Sequence, residues 1–218
     1  MVNKQSIASY IDHTILKAEA TTAEIEQLCN EAIQYRFASV CINPTHVLQA
    51  SKILSPHKIP VCTVIGFPLG ANTTFTKVRE AEDALSNGAT EIDMVINVGA
   101  LKDRDYSKLG NDIASIVNTV GSRGLVKVII ECALLTDEEK IIVTEIIKEK
   151  GGHFVKTSTG MNKAGGATVH DVALLKRVAN GKIKVKAAGG IRTYDDAIAM
   201  ITAGADRIGA SASISIVS

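Results

Sequence analysis

A (β/α)8 barrel is the fold class that this sequence predicts, and three observations predict it. Eight short apolar runs of strand character alternate with segments whose apolar residues recur at helical spacing. Strand–helix alternation makes a parallel sheet covered by helices. Eight such units in 218 residues fit a chain of the size a closed barrel needs, about 200–250 residues. No composition break or linker divides the chain, so one barrel domain over residues 1–218 is expected. The competing architecture is an open, doubly wound sheet, but the GxGxxG turn that marks its dinucleotide-binding form is absent.

The elements follow in order. Asp12-His13-Thr14-Ile15-Leu16 is the first strand. Thr21 and Glu24 are spaced as a capping box, each able to satisfy a free amide at a helix start. Ile25, Leu28, Cys29, Ala32 and Ile33 then keep one helical face apolar. Ala38–Ile42 is a strand stopped by Asn43-Pro44; a helix over about residues 45–54 and Pro56 lead to the strand Ile59–Gly66. A helix over roughly 74–87 ends at Asn87-Gly88, a good C-terminal stop. Glu91–Asn97 is the fourth strand, and the helix after it carries Ile113, Ile116, Val117 and Val120 on one face. Leu125–Glu131 is a strand, and Thr136 to Glu139 forms a second capping box. The strand ending at Lys156, a helix near 169–179, the strand ending at Lys186, a helix near 194–203 and the strand Ala205–Ala210 complete the series.

Composition narrows the function classes. Hydrophobic residues make up 46% and charged residues 22%, as in ordinary globular proteins, and the net charge of +1 supplies no attraction to nucleic acid or anionic membrane. Cys29, Cys41, Cys62 and Cys132 form no CxxC pair, which fits reduced thiols in a cytoplasmic protein. The N-terminal stretch Met1–Ser6 leads into no long apolar segment, so neither a signal peptide nor a membrane span is expected. The five histidines show no HxH or HExxH spacing, and no metal is expected.

Two strand ends stand out. His153–Gly160 and Lys182–Gly190 each run from an apolar strand to a lysine followed by small residues. A strand buried on both faces should be aliphatic, and taking an ammonium group out of water is costly. Side chains alternate along a strand, so Lys156, Lys184 and Lys186 face the barrel interior, as do Asp93, Val95 and Asn97. Lys156, Lys186 and Asp93 therefore converge from three strands, where catalytic groups of this fold gather. A lysine with an ordinary pKa of about 10.4 is almost wholly protonated at neutral pH. A second ammonium nearby, with partial desolvation, lowers such a value. One lysine would then serve as nucleophile and the other as its charged partner, with Asp93 holding that partner and moving protons.

Gly160, Gly189, Gly190 and the Gly209-Ala210-Ser211 turn offer backbone amides for a phosphate, which this barrel commonly holds after strands seven and eight. Asp12, Thr14 and Thr159 are candidates for hydrogen-bonding support. Lys127 and Glu131 share a strand face and are read as an interior ion pair, and Cys41 as core.

At these residues the chain resembles the deoxyribose-phosphate aldolase family. The matching motifs are Ile11-Asp12-His13-Thr14, Glu91–Asn97, Lys127–Glu131, Phe154–Gly160, Val185–Arg192 and Arg207–Ser211, from one end of the chain to the other. The resemblance implies a class I aldolase barrel in which Lys156 forms the imine, with Lys186 and Asp93 assisting proton transfer. It implies reversible cleavage of 2-deoxy-D-ribose 5-phosphate to acetaldehyde and D-glyceraldehyde 3-phosphate, in deoxynucleoside catabolism. No cofactor is implied, because the lysine itself is the electron sink. A homo-oligomer, most simply a dimer, is the expected assembly. Three departures stand out. Ala187 occupies a position where the family often has proline. Met161 stands where some members have a phosphate-contacting lysine, with Lys163 as a candidate substitute. The chain ends at Ser218, short of the tail tyrosine that aids protonation in some members, so that step is expected to fall to water and the Asp93/Lys186 pair. Two rival readings are another Schiff-base lyase for a different sugar or keto-acid phosphate, and a non-catalytic sugar-phosphate-binding barrel.

Overall fold

The computed structural model describes residues 4–218; Met1–Asn3, the start of the N-terminal stretch considered above, lie outside the described residues. Eight parallel strands close into one barrel in chain order: β1 (Ile11–Ile15), β2 (Ser39–Ile42), β3 (Val61–Ile65), β4 (Glu91–Val95), β5 (Leu125–Ile129), β6 (Phe154–Lys156), β7 (Lys184–Ala188) and β8 (Arg207–Ala210). Closure comes from β8 pairing with β1, Ile208 opposite Ile11 and Ala210 opposite His13.

The outer helices start where side-chain caps allow. Thr22–Tyr35 and Asp137–Glu149 open with the capping boxes of Thr21/Glu24 and Thr136/Glu139, and Tyr194–Ala203 has a third, from Thr193 and Asp196. Each supplies acceptors for amides that no intrahelical carbonyl can reach. The helix Tyr106–Val120 buries Ile113, Ile116 and Val120 against the sheet. The main apolar core lies between sheet and helices, built from residues such as Ile92, Met94, Val126, Val128, Val155 and Val185. Inside the barrel the apolar part is small, a cluster of Cys41, Cys62 and Val64. Beside it are the buried charged groups Asp12, Glu91, Asp93, Lys127, Lys156 and Lys186.

β4 and β5 stop short of the predicted Asn97 and Glu131, for local reasons. Asn97, expected to face the interior, instead caps the short helix Val98–Lys102, its Oδ1 accepting the Ala100 amide at 3.0 Å. Glu131 leaves the strand by adopting φ 56° and ψ 66°, the left-handed region. A buried ion pair ties the helical layer to the site: Lys77 Nζ meets Asp112 Oδ2 at 2.6 Å and donates to the Val95 carbonyl, at the carboxyl end of β4, at 2.9 Å.

Candidate active site

Strand register brings the interior charges to one level. Asp93 is opposite Lys127, and Lys156 is opposite Lys186, which in turn is opposite Arg207. All three lysines reach the Asp93 carboxylate. Oδ2 accepts from Lys156 Nζ at 2.7 Å and Lys186 Nζ at 2.8 Å, while Oδ1 accepts from Lys127 Nζ and the Cys62 thiol, both at 3.0 Å. Asp12 closes a second bridge, to Lys186 at 2.5 Å and Arg207 at 2.6 Å, and accepts from Ser39 Oγ at 2.7 Å. Glu91 pairs with Lys127 at 2.6 Å.

The expected Lys127–Glu131 pair does not form. Lys127 lies between Asp93, Glu91 and Asp12, while Glu131, past the end of its strand, accepts from Thr159 Oγ1 at 2.5 Å. Lys127 lies on β5 beside Glu91 and Asp93, which offer two carboxylates, whereas Glu131 lies past the strand end with a left-handed backbone. Glu91 and Arg207 are absent from the predicted constellation, while Asp12, expected as hydrogen-bonding support, pairs with Lys127, Lys186 and Arg207. Strand alternation carried the signal, since Glu91 and Asp93 share one face of β4.

These contacts set protonation. Burial alone would raise the Asp93 carboxyl, but Lys127, Lys156 and Lys186 together hold it well below the usual carboxylate range. Burial likewise opposes charge on Asp12, and Lys186, Lys127 and Arg207 outweigh it. Lys186 and Lys127 are pushed down by burial and up, by more, by the facing carboxylates. Lys186 therefore stays an ammonium.

Above this floor opens a cavity of ≈ 430 Å³ whose wall includes Lys156, Gly160, Gly189, Gly190, Gly209 and Ser211, with Thr14 and Thr159 also on it. The glycines and Ser211 predicted for phosphate contact thus line one space, and of Lys127, Lys156 and Lys186 only Lys156 is on its wall. Gly189 and Gly190 take φ 90° and 82°, which side chains disfavour. At Gly209 a Cβ would stand 3.1 Å from Lys186 Cε, so glycine there leaves the lysine its path. Thr14 donates to the Asp12 carbonyl at 2.8 Å. Lys163 does not approach this cavity. It lines a neighbouring one of ≈ 420 Å³ with Pro68, Leu69, Val95, Glu131 and Leu134. The cations besides Lys156 on the main cavity are Lys17 and Arg192.

Cys41 is buried in the inner cluster with Cys62, and both thiols come within 4.8 Å of an Asp93 oxygen. Three ammonium groups crowd the same carboxylate, an arrangement that repels a divalent cation. Outside the barrel, Asp137, His170 and Asp171 also cluster, but Lys140 Nζ lies among them, 3.1 Å from Asp137 and 2.6 Å from Asp171.

Comparison with known proteins agrees with the geometry. The family model for DeoC/LacD family aldolases matches residues 6–216. The deoxyribose-phosphate aldolase of Clostridium kluyveri is 56% identical over 216 residues, covering 99% of each chain. Among solved structures, the aldolase QR15 superposes with a TM-score of 0.92 at 44% identity, covering 97% of this chain and 94% of its own. The deoxyribose phosphate aldolase of Aeropyrum pernix, described as tetrameric, superposes with a TM-score of 0.92 at 32% identity, covering 99% and 91%. With a closed eightfold barrel, interior lysines on a shared carboxylate and a match along almost its whole length, the chain belongs to the DeoC/LacD family of aldolases.

Proposed function

We propose that this aldolase cleaves 2-deoxy-D-ribose 5-phosphate reversibly to acetaldehyde and D-glyceraldehyde 3-phosphate, with Lys156 as the imine-forming residue. The observation that carries the assignment of Lys156 is the charge balance of the interior. Among the described residues, Lys127, Lys156, Lys186 and Arg207 face only Asp12, Glu91 and Asp93, four basic groups against three carboxylates. Buried charge is tolerated when paired, and the cluster holds one basic group more than it has carboxylates to pair. Lys186 bridges two carboxylates and Lys127 touches three, whereas Lys156 touches Asp93 alone and borders the cavity. Lys156 is the lysine placed to meet a substrate.

In the cleavage direction the Lys156 amine adds to the C1 aldehyde, and the carbinolamine loses water to an iminium. A base removes the 3-hydroxyl proton and the C2–C3 bond breaks. Its electron pair passes into the C1–C2 enamine, and glyceraldehyde 3-phosphate departs. Protonation at C2 restores an iminium, and water releases acetaldehyde and free Lys156. Asp93 is the oxygen-bearing relay within reach of both lysines, and Lys186 supplies a fixed ammonium beside the reacting nitrogen. The glycine turns and Ser211 hold the phosphate end, with Lys17 and Arg192 as the neighbouring charges.

All four cysteines are buried free thiols, which supports a cytoplasmic setting; no described helix is long and apolar enough to cross a membrane. Self-association, most simply as a dimer, is part of the reading, and light scattering checks it. The mechanism itself is tested by borohydride reduction with acetaldehyde, followed by peptide mass mapping. A single ethyl adduct on the Lys156 peptide is expected, lost in Lys156→Ala. An adduct confined to Lys127 or Lys186 would refute the assignment. Pyruvate or dihydroxyacetone phosphate acting as donor in place of acetaldehyde would favour a different Schiff-base lyase.

A further inference from the structure

Glu131 has no part in the chemistry above, yet two features make it an expensive residue to keep. Its backbone is left-handed, φ 56° and ψ 66°, a conformation that costs a side chain other than glycine. Its carboxylate is buried, at 4% exposure, and no ion pair to it is present among the described residues. Neither feature stabilises a fold. What the carboxylate does hold is Thr159. It accepts the Thr159 hydroxyl at 2.5 Å and the Thr159 amide at 3.3 Å, and the Thr159 hydroxyl oxygen in turn accepts the Met161 amide at 3.1 Å.

The neighbours of Glu131 are tied to the same segment. The Ile130 amide donates to the Lys156 carbonyl at 3.0 Å and the Cys132 amide to the Thr157 carbonyl at 2.8 Å. Three consecutive residues therefore grip the chain from Lys156 to Thr159. Gly160, next in line, has φ 80° and abuts Gly189. One strut thus spans from the residue that ends β6 to the turn that lines the cavity.

We propose that Glu131 is a positioning residue for the aldolase reaction, holding through Thr159 the loop that aims Lys156 and shapes the Gly160 turn. This rests on Lys156 being the imine lysine. The strained backbone is what brings the carboxylate to both Thr159 donors, and stability is given up for that placement.

The experiment measures three quantities for each variant: the initial rate of borohydride trapping at Lys156 with acetaldehyde, kcat for 2-deoxyribose 5-phosphate, and Tm. Glu131→Ala and Glu131→Gly remove the strut equally but differ in backbone fit, since glycine accepts the left-handed conformation. Both are expected to lose about 10–100-fold in trapping rate and kcat, the scale of a misplaced reacting group, while Glu131→Gly has the higher Tm. Glu131→Gln keeps an acceptor for Thr159 and should retain most activity. Thr159→Val leaves residue 131 intact and should copy the loss, Thr159→Ser should not, and Glu131→Gly combined with Thr159→Val should cost little more than either alone. Activity that rises and falls with Tm across the set would make Glu131 merely structural and overturn the proposal. Trapping at the wild-type rate in Glu131→Gly and Thr159→Val would overturn it while leaving the imine reading intact. Absence of any Lys156 adduct in the unmodified protein would bring down both.

Discussion

Replacing Asp93 by asparagine tests the centre of the site most directly. The substitution preserves shape and leaves Cys62 and the lysines a polar neighbour, but it removes the carboxylate that three ammonium groups share at 2.7–3.0 Å. The interior then holds the four basic groups Lys127, Lys156, Lys186 and Arg207 against Asp12 and Glu91 alone. Breaking a buried pair by removing one partner costs about 3–5 kcal/mol, because the remaining charge stays out of water. In a domain of this size each kcal/mol moves Tm by roughly 2–4 °C, so Tm should fall by about 6–20 °C. The catalytic loss should be larger than the stability loss implies, since proton transfer by a positioned group is worth about 10²–10⁴-fold. Calorimetry gives the first quantity, and kcat measured well below the variant's Tm gives the second. A Tm within about 2 °C of wild type, together with kcat reduced less than about tenfold, would refute both the charge count and the relay role. Combining Asp93→Asn with Lys127→Met removes one surplus cation and should recover part of the Tm without restoring kcat.

Two other outcomes are expected. Ser211→Glu places a carboxylate on the cavity wall beside the Gly209 turn and should raise KM for 2-deoxyribose 5-phosphate at least about tenfold, with little change for unphosphorylated 2-deoxyribose; equal losses on both would place the phosphate elsewhere. Asp12 and Asp93 have folded pKa values held below their unfolded values by the facing lysines. Their contribution to stability is therefore fully present above the unfolded carboxylate value of about 3.9 and is lost as pH falls through the folded ones. Tm should drop steeply below about pH 4, and Asp12→Asn should flatten that acid limb; parallel curves for the two proteins would contradict the pairing.

The fold was legible because its signals are local. Apolar runs at strand length, helical spacing between them and caps such as Thr21 and Thr136 each report on a few consecutive residues, and all eight strands appear where they do. Alternation along a strand also made Asp93, Lys156 and Lys186 interior, and the glycine turns fell on one cavity because every parallel strand ends at the same mouth. What sequence could not decide is depth and partnership inside the barrel. Lys127 and Glu131 have the same alternation, yet one descends to Asp93 and Glu91 while the other turns aside to Thr159. That choice depends on strand register and on a left-handed backbone at Glu131, neither of which is encoded by the spacing of charged residues. The same holds for Lys163, near the cavity in sequence and facing its neighbour in space. The chain by itself determined which groups enter the barrel. Closure and register decided which of them touch, because an ammonium group bonds to the carboxylate that lies at its own level.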